Sequence, residues 1–245
     1  IVFPHDFSDA TGISSIMGKF LSARIFNITL PTIPVTPTIA NFIFIFYSPK
    51  VLYLPIMKKS IFTFIILLQA NLVFGQFTDT FSDGNFTANP AWSGDIGNFE
   101  VDSFSKLHLN DSATNTSYLS THSQAIINGS WEFEIKMEFD PSTSNYAKVY
   151  LTSDEQDLSS NLNGYFVKIG GESLAIDDVS LYVQNGISTT KIIDGIDGIA
   201  AINPDLKIKV TRDSIGNWEL FVDTSNQYML QGLAFDNTIT ASTCF

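Results

Sequence analysis

Apolar and charged residues alternate without a break in the stretch Trp131-Glu132-Phe133-Glu134-Ile135-Lys136-Met137-Glu138-Phe139-Asp140. Successive side chains of a β-strand point to opposite faces, so one face of this stretch is apolar and the other is charged. A helix would spread both kinds of residue around its circumference. The stretch therefore predicts a long strand with one buried and one solvated face, as in an antiparallel sheet.

Shorter segments with a similar alternation lie on both sides of this stretch. They cover residues 77–81, 99–101, 107–109, 117–120, 146–151, 164–169, 179–183, 191–193, 206–210 and 218–222. Turn-forming residues such as the Asn185-Gly186 pair separate them, and none has a convincing helical period. Many short strands with such turns predict an all-β protein, an antiparallel β-sandwich or barrel in a single domain.

Residues 57–75 have the layout of a secretory signal peptide. The basic start Met57-Lys58-Lys59 precedes the apolar run 61–68, and cleavage is expected between Gly75 and Gln76. A membrane anchor is the alternative, but the apolar run is shorter than the roughly 20 residues that span a bilayer. We therefore predict a secreted or cell-surface protein whose mature form has no membrane span.

Residues 1–56 precede the expected initiator methionine. Their apolar runs are interrupted by five prolines, at positions 31, 34, 37, 49 and 55. Proline at this spacing permits neither a continuous helix nor a central strand. We expect residues 1–56 to be disordered upstream sequence from an over-extended reading frame, with a membrane-associated leader as the alternative. The folded domain is then expected over residues 76–245.

The mature part of the chain would be strongly acidic. The whole chain has a net charge of −12, and residues 1–76 contain five of its 13 basic but only two of its 25 acidic residues, so the remainder carries −15. Such a surface repels phosphate groups, which argues against nucleic acid and anionic membranes as partners. Cys244 is the only cysteine, so no disulfide is expected to hold the domain.

Several stretches together resemble one known group of domains. They are Phe81-Ser82-Asp83-Gly84, Asn89-Pro90-Ala91-Trp92-Ser93-Gly94-Asp95, Ser117-Tyr118-Leu119-Ser120-Thr121, Trp131-Glu132-Phe133, the runs 144–151 and 162–171, and Ile208-Lys209-Val210-Thr211-Arg212-Asp213. The resemblance covers residues 76–245 and is to the N-terminal domain of large secreted Bacteroidetes surface proteins, many of which carry lamin-tail domains.

This resemblance implies a concanavalin A-like or laminin-G-like jelly roll. Its partners would include the downstream domains of the same full-length protein. It also implies that the domain is truncated at its C-terminus and lacks its last strand or strands. Residues 77–81 would then form an edge strand without a partner, which favours association.

The same resemblance raises a catalytic alternative for Glu132, Glu134 and Glu138. Glucanases on concanavalin A-like folds place a nucleophile and an acid on alternate residues of one strand, and a retaining pair needs carboxyl groups about 5 Å apart. Lys136 interrupts that pattern, and a solvated face in which Lys136 balances its neighbours explains the residues as well. We therefore expect no catalytic residues and no enzyme activity, and keep a polysaccharide hydrolase as the alternative.

Two acidic regions contain candidate ligands for a structural calcium ion, the only cofactor that the sequence suggests. Asp194 and Asp197 lie in one Asp-Gly-rich run, to which residues 177–178 could contribute, and Asp79 and Asp83 lie near the first turn. Oxygen ligands suit calcium. Asp-Gly pairs are also ordinary turn residues, so both interpretations stay open.

Five aromatic residues are candidates for stacking on the apolar faces of sugar rings: Trp92, Tyr146, Tyr150, Tyr165 and Tyr182. Trp92 lies in a predicted loop, where a tryptophan that caps the core is an equal alternative. Together these observations predict a non-catalytic recognition or structural module of a larger surface protein, with a glycan bound by loops and one concave sheet face. A spacer domain that binds nothing specific is a further alternative.

Overall fold

The computed structural model describes residues 2–3, 23–29, 78–113 and 115–245. Within these ranges the chain forms antiparallel strands, two short 3-10 helices at Ile96–Asn98 and Leu174–Ile176, and no α-helix. The all-β prediction is confirmed. No helix in the described ranges is long and apolar enough to cross a membrane.

The strands are numbered in chain order. In the described part of the chain they are β1 (Val2–Phe3), β2 (Ala23–Thr29), β3 (Thr78–Asp79), β4 (Trp92–Gly94), β5 (Phe99–Val101), β6 (Leu107–Leu109), β7 (Ser117–Thr121), β8 (Gly129–Met137), β9 (Ala147–Ser153), β10 (Leu162–Ile169), β11 (Val179–Gly186), β12 (Ser188–Ile193), β13 (Asp205–Arg212), β14 (Asn217–Asp223) and β15 (Tyr228–Phe235).

Two antiparallel sheets share one hydrophobic core. The seven-stranded sheet has the order β12-β11-β10-β9-β1-β7-β4. The eight-stranded sheet has the order β15-β14-β13-β8-β2-β6-β5, with β3 paired to β2. Side chains from both sheets meet in the core: the ring centre of Tyr165 in β10 lies 4.4 Å from that of Trp218 in β14. This arrangement is consistent with a β-sandwich.

The alternating stretch forms β8, as its pattern predicts. Its residues alternate between buried and half-buried from Gly129 to Met137. Trp131 is fully buried and stacks on Trp218, with ring centres 5.7 Å apart, whereas Glu132 lies on the outer face. The strand ends three residues before the alternation does. Phe139 continues to pack against the core beyond the strand's end.

Two of the strands after residue 77 are absent from the sequence prediction. Residues 92–94, interpreted as a loop, form β4, which pairs with β7. Residues 228–235, for which no strand was predicted, form β15, which pairs with β14 along its whole length. Because β15 is the last strand of the eight-stranded sheet, it has one hydrogen-bonded neighbour among the described strands, and its side chains are largely exposed.

The N-terminal region differs in one respect from expectation. The sequence predicted no central strand among residues 1–56, yet β2 pairs with β6 and β8. The five prolines that motivated the expectation all lie beyond the end of β2. One compact unit comprises Ile1–Ile33 and Gly75–Phe245. A second unit, Pro34–Phe74, lies outside the described residues, as does the predicted signal peptide, so their boundaries stay predictions.

Two short segments lie between β7 and β9 and form backbone hydrogen bonds with these strands. Phe245 exchanges two backbone hydrogen bonds with Thr121, and Cys244 accepts one from the backbone N–H of Ser153. Farther along β7 and β9, Val2 of β1 is paired with Tyr118 of β7 and with Lys148 of β9. The expected unpaired edge at residues 77–81 instead contains β3, which has β2 as its partner.

Candidate functional site

An open depression of about 370 Å³ lies on the outer face of the eight-stranded sheet. Its lining comes from β8, β13, β14 and the hairpin between β14 and β15: Glu132, Phe133, Glu134, Lys207, Asp223, Asn226 and Tyr228. A volume of this size lies within the range of about 300–1,000 Å³ that is usual for small-ligand sites. Most of these side chains are polar and can form hydrogen bonds with a ligand.

Two cross-strand ion pairs lie on the sheet face at this depression. Lys207 lies opposite Glu134 in the register of β13 and β8, and Lys209 lies opposite Glu132. The ammonium and carboxylate groups are 3.3 Å apart in the first pair and 2.8 Å apart in the second. We call these four residues the charge ladder. Because the pairs are partly exposed, each adds little stability, but together they fix the carboxylates in place.

The carboxylates considered for catalysis all have ammonium partners. Glu132 and Glu134 belong to the charge ladder, and Glu138 lies 3.6 Å from Lys136. A catalytic acid needs a carboxyl group that an apolar environment keeps protonated. These three side chains are instead partly exposed and ion-paired. The geometry favours a solvated, balanced face, with the lysines of β13 as the main partners; the absence of enzyme activity stays a prediction.

Tyr228 supplies an aromatic ring at the side of the depression. Its side chain is 38% exposed, and the ammonium of Lys209 lies 5.8 Å from the ring centre. Burial of the hydroxyl, reinforced by the nearby charges of Glu132 and Asp223, raises the pKa of Tyr228 to about 12. The hydroxyl therefore stays protonated at neutral pH and can donate a hydrogen bond.

The hairpin at the rim is held by Asp223. Its carboxylate accepts hydrogen bonds from the backbone N–H groups of Ser225 and Gln227, both at 2.8 Å. Asn226 between them adopts a positive φ of 65°, a conformation that asparagine tolerates better than most residues. This part of the site is absent from the sequence prediction. The polar run 223–226 between two apolar segments was a signal for such a hairpin.

Trp92 is the first of the predicted stacking residues, and the structure places it in the core. The side chain is only 3% exposed, with ring centres 6.3 Å from Phe81 and 6.0 Å from Phe245. Its indole N–H donates a 2.9 Å hydrogen bond to Asp79. A ring covered in this way cannot stack on a sugar. This placement agrees with the alternative prediction, in which Trp92 caps the core.

Two of the other aromatic candidates, Tyr165 and Tyr146, have different environments. Tyr165 is fully buried, and its hydroxyl donates a hydrogen bond to Asp236, so its ring is unavailable to a ligand. Tyr146 is half-buried on the outer face of the seven-stranded sheet, where the ammonium of Lys168 lies 4.4 Å from its ring centre. Tyr146 is thus far from the depression in the fold, on the other sheet.

Asp79 and Asp83, the first pair of candidate calcium ligands, have separate structural roles. Asp79 is buried and uses both carboxylate oxygens, one for Trp92 and one for the backbone N–H of Phe81. Burial raises the pKa of Asp79, although these hydrogen bonds oppose the shift. Asp83 is exposed and accepts a hydrogen bond from the backbone N–H of Asn85. Asp79 therefore stabilises a contact in the core, and Asp83 stabilises a turn.

The second acidic region is organised around a lysine. The ammonium of Lys191 lies 3.1 Å from Glu172, 3.3 Å from Asp178 and 2.5 Å from Asp194. Burial alone would lower the pKa of Lys191, but hydrogen bonds with Asp194 and Glu172 raise it overall. Asp197 is exposed in a turn. Among the described residues, no three His, Cys, Asp or Glu side chains are arranged to hold a metal ion, and calcium stays a prediction.

Comparisons of this chain with protein-family models, curated proteins and solved structures found no match. The resemblance to Bacteroidetes surface domains and the jelly-roll topology therefore stay predictions.

Proposed function

We propose that this protein is a non-catalytic recognition module that binds a neutral glycan in the depression beside the charge ladder. The depression supports this proposal because it combines one exposed aromatic ring with several hydrogen-bonding groups. Sugar rings have apolar faces that suit an aromatic surface such as Tyr228. Their hydroxyl groups can donate to carboxylates and accept from the amide of Asn226.

The charges of the lining favour a neutral ligand over an anionic one. Glu132, Glu134 and Asp223 contribute carboxylates, and the single lysine of the lining, Lys207, already pairs with Glu134. An anionic sugar would meet these carboxylates without a free ammonium group to offset them. The negative charge of the whole chain acts in the same direction.

A secreted location supports the same proposal. The signal-peptide layout of residues 57–75 is typical of exported proteins, and extracellular glycans are accessible to such a module. From the resemblance to the domains of large surface proteins, we also propose that the domain belongs to a larger surface protein.

Calorimetric titration with neutral oligosaccharides of glucan, xylan and mannan type tests the proposal. We expect one of these series to bind, and Tyr228→Ala to weaken binding about fivefold, because loss of an aromatic contact costs about 1 kcal/mol. Phe235→Ala is the matched control: Phe235 is 64% exposed on the same strand but lies outside the depression.

Two results would contradict this account. If Phe235→Ala weakens binding as much as Tyr228→Ala does, the depression is not the binding site. If no series binds, the spacer alternative is favoured. Release of reducing sugar that disappears in Glu134→Gln would instead favour the hydrolase.

A further inference from the structure

Two lysines face each other on the outer face of the seven-stranded sheet. Lys148 of β9 lies directly opposite Lys168 of β10 in the strand register. Both are half-buried, and the neighbouring Val149 and Val167 point into the core. Like charges placed directly opposite each other destabilise a sheet. We call these two residues the lysine pair.

Aromatic rings, rather than carboxylates, surround the lysine pair. The ammonium of Lys148 lies 4.8 Å from the ring centre of Phe166, and that of Lys168 lies 4.4 Å from the ring centre of Tyr146. Lys168 also donates a 3.1 Å hydrogen bond to the carbonyl of Gly171. Cation–π contacts attract an ammonium group but do not neutralise its charge.

The nearest acidic side chains are already engaged elsewhere. Glu172, Asp178 and Asp177 affect Lys168 electrostatically. Glu172 and Asp178 form ion pairs with Lys191, and Asp177 accepts a hydrogen bond from the backbone N–H of Glu172. Among the described residues, the ion pairs involve neither lysine of the lysine pair. In a chain with 25 acidic and 13 basic residues, two adjacent lysines without a carboxylate partner in this region are unexpected.

The lysine pair is also partly removed from water. Burial lowers the pKa of Lys148, and the positive charge of Lys168 lowers it further. Burial likewise lowers the pKa of Lys168, against the opposing effect of nearby carboxylates. Protonation is therefore less favourable for both lysines than it is in water, and a bound negative charge would offset that cost.

We propose that Lys148 and Lys168 bind an oxyanion, either a carboxylate or a sulfate group. In this structure the two ammonium groups lie over different rings, Lys148 over Phe166 and Lys168 over Tyr146, so both side chains turn towards each other to donate charge-assisted hydrogen bonds to one such group. The anion could be a small solute or a substituent of an acidic polysaccharide, since both present the same chemistry. This site is on the other sheet from the depression and does not depend on a glycan binding there.

An NMR titration of the full chain at constant ionic strength tests this inference. The probes are sodium sulfate, sodium glucuronate and polygalacturonate, with sodium chloride and neutral glucose as references. We expect saturable shifts of the backbone amides around positions 148 and 168. Lys148→Gln should weaken binding at least about tenfold, because a hydrogen bond to a charged group is lost.

Lys136→Gln is the matched control, since it removes one lysine charge from the outer face of the other sheet and should leave binding unchanged. Lys168→Gln is a second variant at the site and should weaken binding as Lys148→Gln does. Saturation by sulfate and glucuronate supports a small-anion site, and saturation by polygalacturonate alone supports an acidic polysaccharide. Shifts that never saturate, or equal weakening by Lys136→Gln and Lys148→Gln, would overturn the proposal.

Discussion

The two outer faces of this protein place lysines in the same kind of position with opposite neighbours. On the eight-stranded sheet, Lys207 and Lys209 each lie opposite a glutamate of β8, at ion-pair distance. On the seven-stranded sheet, Lys148 lies opposite Lys168, and aromatic rings take the place of carboxylates. The strand geometry is the same in both cases, so the difference lies in the side chains that the sequence puts in register.

This difference suggests different uses for the two faces. The charge ladder is balanced by its own residues, which suits a surface that recognises neutral hydroxyl groups. The lysine pair has no ion-pair partner among the described residues, and the carboxylates near Lys168 contact Lys191 or backbone groups instead. A charge that the protein leaves uncompensated at some cost in stability is a reasonable place to expect a ligand.

The largest expected effect comes from the one lysine of the seven-stranded sheet that is fully matched. Lys191→Met would leave Asp178, which is only 3% exposed at its side chain, without its ion pair. We expect a loss of about 3 kcal/mol in the free energy of unfolding, because an uncompensated buried charge is costly. Urea unfolding measures it. Lys209→Met, which breaks a partly exposed pair, should cost about 1 kcal/mol or less; equal losses would contradict the distinction.

Exchanging the charges should produce smaller effects of opposite sign. Lys148→Glu places a carboxylate opposite Lys168 and should stabilise the fold by about 0.5–1 kcal/mol. Lys209→Glu places a carboxylate opposite Glu132 and should destabilise it by a similar amount. Both variants change the charge by the same amount on an outer face, so each is the other's control in urea unfolding. If both shifts have the same sign, net charge rather than local pairing determines the result.

The sequence predicts one of these two faces much better than the other. The outer face of β8 can be identified from a local alternation, and that alternation places Glu132 and Glu134 correctly. The partners of those glutamates on β13 are 73 or more positions away in the chain, and nothing local specifies them. The lysine pair depends in the same way on the register of β9 and β10, which the sequence analysis did not derive.

Long-range contacts also explain the residues whose environment was not predicted. Trp92 follows a proline in a polar stretch, which indicates a loop, but pairing of β4 with β7 and the hydrogen bond to Asp79 place it in the core. Tyr228 was missed for a different reason. At the edge of the sheet three consecutive residues, 228–230, are all exposed, so β15 lacks the alternation by which the other strands were recognised.

Titration of individual lysine side chains by NMR tests the contrast between matched and unmatched lysines most directly. We predict that Lys148 titrates below its ordinary pKa of 10.5 and that Lys191 titrates above it. By linkage, the contribution of Lys148 to stability then improves as the pH rises from its folded-state pKa towards 10.5, whereas that of Lys191 is present below 10.5 and is lost as the pH rises through its folded-state pKa. A Lys148 pKa at or above 10.5 in the protein without added anion would show that its charge is already compensated, and would contradict the account.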